Sequence, residues 1–534
     1  MTKCEVQLAE QIITLSIPLI RTHLWSNDDP FLYVLYVNVF NGERELDCYS
    51  IVFGMREFTI EGRDFFLNGK KILLRGGNIA FHRFLSDPQR GLLPWNKEWV
   101  KRLLIDIPKE HNFNFFRFHL GQVYSLWYDL ADEYGMLIQN EWQFWRASGT
   151  KEQIIKEFTE WLEDNWNHPS IVIWDALNEC SEPLVENEII PLMKALDPTR
   201  IWEPNDIKDN HPYIYSLGPV LNAEKLGFSE SVFDLESSTS PVIVNEFLWW
   251  LLNNNNEPTA LMKNVIERWL GSSYTTGNIV HRQSYLAQEL IELFRRIGAN
   301  AIQPFVYLSN GNGATGNWFE GDIAALSPKP ILETLKNAFS PLGVSIELWD
   351  RHFFKNETRN ERIYVFNDLQ IPVECTLKIG VVDSANCWCS HESRSISLRP
   401  TNRIIESCAI SFPALAGSYS VRAEIINENT IMSYSVKPAL VFDMPQPTKA
   451  LLSKKICIFD QFGDIEEYLK ENGFTLDAYK FENCNCCIIT GNRFFYEASA
   501  EQRNYLNDFV HNGGKLILIE PEFGVREKSM LEIA

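Results

Sequence analysis

Apolar and polar positions change their spacing three times along this 534-residue chain. Up to about residue 57 they alternate with period two. The run Phe31–Phe40 followed by Asn41-Gly42 predicts a strand and turn of a β-sandwich. Glu57–Leu67 reads as a further strand running into an Asn68-Gly69 hairpin turn. From about residue 70 short apolar runs alternate with helical spacing. The expected strands are 71–78, 115–119, 136–141, 171–178, 200–203, 211–215, 242–246 and 299–307. The expected helices lie at 95–111, 125–134 (closed by Gly135), 152–167, 184–196 and 285–296. Repeated strand–helix units imply a parallel sheet, and about eight imply a closed (β/α)8 TIM barrel.

Near residue 340 short alternating strands return at 361–367, 373–379 and 418–426, which predicts a second β-sandwich. Pro445, Pro447 and Thr448 mark a linker. Beyond it, strands 455–459, 486–490 and 515–520 alternate with helices 464–471 and 500–511, the pattern of an open doubly wound sheet. The expected architecture is therefore multidomain α/β and all-β. It comprises a partial sandwich (1–57), a TIM barrel (58–340), a sandwich (341–445) and a partial doubly wound α/β domain (446–534).

With 49 basic and 70 acidic side chains the formal net charge is −21, which argues against nucleic acid or an anionic membrane as partner. A neutral sugar is indifferent to that charge. The 16 Trp, 18 Tyr and 34 Phe suit sugar stacking, although core packing is the commoner use of aromatics. Eleven cysteines show no framework spacing, and the cluster Cys484, Cys486 and Cys487 reads better as a buried strand than as a zinc site. No stretch approaches the roughly 18 apolar residues of a membrane span, and residues 1–8 lack a signal peptide's basic and apolar regions.

The chemistry gathers at strand ends. Ile171-Val-Ile173 leads to Asn178-Glu179, and Pro241-Val-Ile-Val244 leads to Asn245-Glu246. In a TIM barrel the C-terminal strand ends form the active-site face, and two carboxylates there are the equipment for cleaving a glycosidic bond. Glu179 is the candidate acid/base and Glu246 the candidate nucleophile; a surface Glu opening the next helix is the plainer alternative for Glu179. Asn178 is placed to donate to a sugar hydroxyl. Arg117 and His119 alternate inward on the second strand, where Arg117 either holds the nucleophile ionised or forms a structural ion pair. Glu141, at the end of strand three, is a candidate to bind a hydroxyl or to hold Arg117. His82 is a loop candidate for a hydroxyl, set against an ordinary solvated histidine. Trp142, Trp145, Trp249, Trp250 and Trp318-Phe319 follow strand ends and are candidate sugar platforms. Asn253–Asn256 reads as loop surface, and no phosphate loop or nucleophile elbow is present.

These residues resemble glycoside hydrolase family 2, the β-galactosidase, β-glucuronidase and β-mannosidase group. The likeness runs in order over about residues 20–440. It is carried by Leu24–Tyr33, Phe53–Arg56, Phe66–Lys70, Leu74-Arg-Gly-Gly-Asn78, Arg117-Phe-His119, Trp127–Gly135 and above all Asn167-His-Pro-Ser170 through Asn178-Glu179. The resemblance implies immunoglobulin-like sandwiches flanking the barrel, Glu179 as acid/base and Glu246 as nucleophile of a retaining mechanism. His82 stands four residues after Asn78 where the family usually has two, and Phe247-Leu-Trp-Trp250 replaces the family's usual aromatic-Gly after the nucleophile. The family's leading jelly-roll domain has no counterpart here, so a truncated start is expected and the missing signal peptide assigns no compartment. The tail resembles the flavodoxin-like domains of some bacterial members. The expected activity is that of an exo-acting β-glycosidase, most like a β-galactosidase, acting on a carbohydrate with no organic cofactor and no nameable metal ligand set. The alternatives are another family 2 specificity, or a carbohydrate-binding scaffold that has lost catalysis.

Overall fold

The computed structural model describes residues 4, 13–212, 238–444, 448–452, 455–459, 464–478, 487–490 and 499–518. The chain divides into two compact units, 1–442 and 443–534.

In the first unit β1 (Tyr33–Asn41) and β2 (Arg44–Phe53) pair antiparallel. Val34, Tyr36, Phe40, Tyr49 and Val52 of this hairpin are exposed. Three short strands follow, β3 (Phe58–Glu61), β4 (Asp64–Leu67) and β5 (Lys70–Ile72). Phe58, Phe65 and Leu67 join Trp25 in the apolar cluster that fills the lower barrel.

Eight strands build the barrel: β6 (Leu74–Ile79), β7 (Phe115–Phe118), β8 (Leu137–Glu141), β9 (Ile171–Asp175), β10 (Ile201–Glu203), β11 (Lys208–Asn210), β12 (Val242–Val244) and β13 (Ala301–Ile302). The sheet order is β10-β9-β8-β7-β6-β13-β12-β11, and every pairing is parallel. That is the cyclic order of a TIM barrel. Helices Ser125–Tyr134, Lys151–Asn165 and Thr276–Ile297 cover its outside. Thr150 and Gln153 form a capping box that starts the second of these, and left-handed Gly135 and Gly298 end the first and third. Gly76 lets β6 and β7 approach, because a Cβ there would lie 1.8 Å from the Phe115 carbonyl oxygen. One expected element is corrected. The sixth strand is Lys208–Asn210, so His211 stands just past its end, and residues 213–215 lie outside the described residues.

After the hairpin of β14 (Phe319–Glu320) and β15 (Ser327–Pro328), eight strands form two sheets. They are β16 (Leu342–Glu347), β17 (His352–Phe354), β18 (Thr358–Asn367), β19 (Val373–Val382), β20 (Trp388–Leu398), β21 (Asn402–Ser411), β22 (Gly417–Asn427) and β23 (Thr430–Phe442). The orders are β16-β18-β21 and β17-β23-β22-β19-β20, and Ile363, Val365, Leu377, Ile379, Val421 and Ile425 fill the space between them. This is a sandwich.

In the second unit β24 (Lys455–Phe459), β25 (Thr475–Ala478), β26 (Cys487–Thr490) and β27 (Lys515–Leu518) form a parallel sheet of order β25-β24-β26-β27, with helices Asp464–Glu471 and Ala500–His511. Cys484 and Cys486 of the cysteine cluster lie outside the described residues.

Candidate active site

The barrel interior is built in layers by the two-residue period of its strands. Leu74, Phe115, Leu137, Ile173, Ile201, Ile243 and Ala301 make an apolar floor. Two residues further along their strands stand Arg117, Gln139, Asp175, Glu203, Asn245 and Gln303, all buried. Gln139 Nε2 donates to Asp175 Oδ2 at 2.8 Å and Glu203 Oε2 at 2.7 Å. Gln303 Nε2 donates to Asn245 Oδ1 at 2.6 Å and Gln139 Oε1 at 3.0 Å. Burial, with Glu141 nearby, lifts Asp175 to about 8. Burial and Asp175 push Glu203 well above the usual carboxylate range. Both therefore hold protons at neutral pH, which keeps the layer from carrying unpaired charge.

Above it Arg117 is the hub. Its Nη1 donates to Glu246 Oε1 at 2.7 Å, and Nη2 donates to Glu141 Oε1 at 2.9 Å and Asn178 Oδ1 at 2.8 Å. Glu246 is buried. Burial works against its charge, but the His119, Arg117 and His211 side chains outweigh it and hold the carboxyl below its ordinary value. Burial also drives His119 well down, which leaves Arg117 at 2.7 Å and His211 at 3.9 Å as the lasting cations beside Glu246. Glu141 accepts from Arg117, from the Leu120 backbone N–H at 2.8 Å, and faces His119 Nδ1 at 3.2 Å. Burial lifts it to about 7.

Glu179 sits differently. Its side chain is 32% exposed against 3% for Glu246, so one carboxyl meets solvent and the other does not. Its φ is +50°, and Leu120 (+52°) and Leu248 (+62°) share the left-handed region just past the second and seventh strands. Such backbone costs about 1–3 kcal/mol for a residue with a Cβ and clusters at functional sites. Trp145 Nε1 donates to Glu179 Oε2 at 3.2 Å, and His211 Nδ1 lies 3.0 Å from Glu179 Oε1. The other His211 nitrogen, Nε2, lies 2.8 Å from Asp209 Oδ2. Burial disfavours charge on His211, but Asp209, Glu179 and Glu246 outweigh it and lift the ring to about 10. One oxygen each of Glu179 and Glu246 and one nitrogen of His211 lie within 4.8 Å of one another. At neutral pH a cation there would have to displace the proton that these carboxylates hold on His211.

The expected platforms divide. Trp249 is half-buried and stacks on Phe305 at 5.1 Å, and Trp145 is exposed beside Glu179. Trp142 is corrected: it is buried against Phe158 and Trp161 and belongs to the core. Trp318 is corrected likewise, being buried against Tyr307, and Trp250 is buried with its Nε1 on the Ile279 carbonyl. Trp142 turns onto helix Lys151–Asn165 and Trp250 onto helix Thr276–Ile297. The Asn253–Asn256 run is not all surface, since Asn254 is buried and reaches Gln89 and Asn317. His82 is exposed, its ring 5.9 Å from that of His119. His211, Asp209 and Asp175 were missed by sequence reasoning.

Residues 58–294 match the family model described as glycosyl hydrolases family 2, TIM barrel domain, and residues 2–56 match that described as glycosyl hydrolases family 2. The chain belongs to glycoside hydrolase family 2. Curated relatives of this family 2 chain include β-galactosidase 2 of Enterobacter cloacae, 30% identical over 203 residues that cover 36% of this chain and 19% of that protein. A β-galactosidase of Leuconostoc mesenteroides is 28% identical over 200 residues, 35% of this chain and 19% of that one. The family 2 chain thus matches about a fifth of the length of these relatives. Among solved structures, an exo-chitosanase of Amycolatopsis orientalis superposes with a TM-score of 0.57 at 16% identity, over 78% of this chain and 55% of that one, a likeness of fold.

Proposed function

We propose that this chain is a retaining, exo-acting β-glycosidase, most like a β-galactosidase, with Glu246 as nucleophile and Glu179 as acid/base. The carrying observation is the spacing of the two carboxylates, whose oxygens lie within 4.8 Å. A retaining site needs its carboxyl groups roughly 5–5.5 Å apart, whereas an inverting one needs roughly 6.5–9.5 Å to seat a water. Glu246 attacks the anomeric carbon while Glu179 gives its proton to the glycosidic oxygen, and the alcohol leaves. Water then enters with Glu179 as base and releases the sugar from Glu246. Arg117 keeps Glu246 ionised for the first step. Asn178 Oδ1 is fixed on Arg117, and its Nδ2 finds no partner among the described residues, so a donor is left for a hydroxyl next to the reacting carbon. Trp145 reaches Glu179, and Trp249 stacks on Phe305, which packs edge-on against His119. The galactoside preference rests on the names of the curated relatives.

Nitrophenyl β-galactoside, β-glucuronide, β-mannoside and β-glucosaminide, offered to this chain and to Glu246→Gln, test the reading. Expected is turnover of one sugar, release of the β-anomer first, and a loss of about a thousandfold or more in the variant. A folded chain that hydrolyses none would favour the scaffold reading.

A further inference from the structure

His211 and Asp209 belong to neither carboxylate's usual equipment, yet they complete a line of polar atoms through the site. Asp209 Oδ2 lies 2.8 Å from His211 Nε2, and His211 Nδ1 lies 3.0 Å from Glu179 Oε1 and 3.9 Å from Glu246 Oε1. Asp209 on β11 is half-buried while Glu179 is more open to solvent, so the imidazole spans from one carboxylate to the other. We propose that His211, backed by Asp209, is a positioning residue that stores the proton Glu179 delivers, passing it from Nδ1 to Glu179 Oε1 for glycosidic cleavage and taking it back after water is deprotonated.

The step balances without a co-reactant. Before cleavage the pair exchanges imidazolium–carboxylate for imidazole–carboxylic acid, one proton moving about the length of a hydrogen bond. Protonation of the leaving oxygen returns Glu179 to carboxylate. In the second half-reaction the proton that Glu179 takes from water returns to Nδ1. The charged groups facing His211 support this traffic. Asp209 on its own strand, Glu179 past β9 and Glu246 past β12 favour the imidazolium, and Glu141 past β8 adds to them from further off. His211, with Arg117 behind it, keeps Asp209 ionised, and Arg117 and His211 both favour the charge on Glu246. A histidine that merely braced Glu179 would need no second carboxylate at its far nitrogen. Partly desolvating Asp209 is costly unless a cation offsets it, and His211 is the nearest cation.

This inference rests on the glycosidase reading, and the experiment separates the two. His211→Asn keeps an amide donor near the position of Nδ1 but cannot carry a proton. Asp209→Asn keeps the imidazole but removes its counter-charge. The substrates are a phenyl glycoside, whose leaving group needs a proton, and a 2,4-dinitrophenyl glycoside, whose leaving group does not. Expected for His211→Asn is a fall in kcat/KM of about 100-fold with the first and less than about fivefold with the second. For Asp209→Asn, the alkaline limb of the phenyl-glycoside profile moves to lower pH. Equal losses on both substrates with an unmoved alkaline limb would overturn the proposal, even with wild-type turnover intact. If the wild type hydrolyses no glycoside, the glycosidase reading fails and this inference with it. If His211→Asn does not fold, as seen in its melting curve, the alkaline limb of Asp209→Asn decides.

Discussion

Replacing Arg117 with methionine removes the one cation that faces Glu246, Glu141 and Asp175 at 2.7, 2.9 and 3.4 Å while keeping most of the side-chain volume. At about 4 Å and an effective dielectric near 20, a single ion pair is worth about 4 kcal/mol. Loss of one partner of a buried pair ordinarily costs about 3–5 kcal/mol, because a charge is stranded. Here the three carboxylates respond unequally. Glu141 and Asp175 already titrate near 7 and 8, so they become neutral with little cost. Glu246 is the one held below its ordinary value, and it loses most. About 4 kcal/mol corresponds to about 3 pH units at 1.36 kcal/mol per unit, and the retained His211 recovers part of it. The acid limb of kcat/KM is therefore expected to move upward by about 2 units. At pH 5 the variant should lose about tenfold more than it does at pH 8, measured on an activated aryl glycoside so that Glu179's protonation does not mask the effect. The melting temperature, followed in parallel, should fall by only a few degrees at pH 6. Parallel pH profiles with one uniform loss would refute the reasoning, for then Arg117 places Glu246 without setting its ionisation.

The raised carboxyls of the polar layer make stability depend on pH in a fixed direction. Because Glu141, Asp175 and Glu203 keep protons that the unfolded chain releases between about pH 4 and 8, stability should fall as pH rises through that window. Glu203→Gln, which preserves the acceptor for Gln139, should flatten this fall and raise the melting temperature at pH 8; an unchanged slope would count against a protonated Glu203. Gly76→Ala should destabilise by about 2 kcal/mol or more in urea unfolding, since the added Cβ meets the Phe115 carbonyl that lies between β6 and β7. Lys329→Met should strand the Leu252, Asn253 and Asn317 carbonyls, which accept from its ammonium at 3.1, 2.7 and 2.6 Å, and should open the loop at 252–257 to limited proteolysis; equal protease resistance would refute that role.

Strong periodicity made most of the architecture legible. Helix Ser125–Tyr134 closes at Gly135 as the spacing predicts, and Asp464–Glu471 and Ala500–His511 fall on their expected bounds. Barrel strands shrink from the expected runs because only their lower residues pair. Asn178 has left the ladder although it continues an apolar run. The sixth strand was misplaced for a physical reason. Lys208-Asp-Asn210 carries no apolar residue, and its ladder is held by Pro241 and Asn245 backbone groups, so hydrophobicity gives no sign of it.

The same polarity hid half of the site. Glu179 and Glu246 announce themselves because each follows an apolar strand, whereas Asp209 lies on, and His211 just past, a strand with no apolar signature. A usable signal nevertheless existed. Gln139, Asp175, Glu203, Asn245 and Gln303 each stand two residues past an inward apolar residue of the floor, and a barrel strand that turns polar at that step has a second interior layer to satisfy. Extending the step once more reaches His119 and Glu141, and taking it from Ile207 reaches Asp209 and then His211. The error over Trp142 and Trp318 has the opposite origin. Position past a strand end says that a residue is near the mouth, but a ring of that size turns toward whichever apolar surface is closest. Phe158 with Trp161, and Tyr307, are closer than any sugar. Carboxylates and imidazoles have no such alternative inside an apolar wall, which is why the charged residues of this site are better indicators of chemistry than its tryptophans.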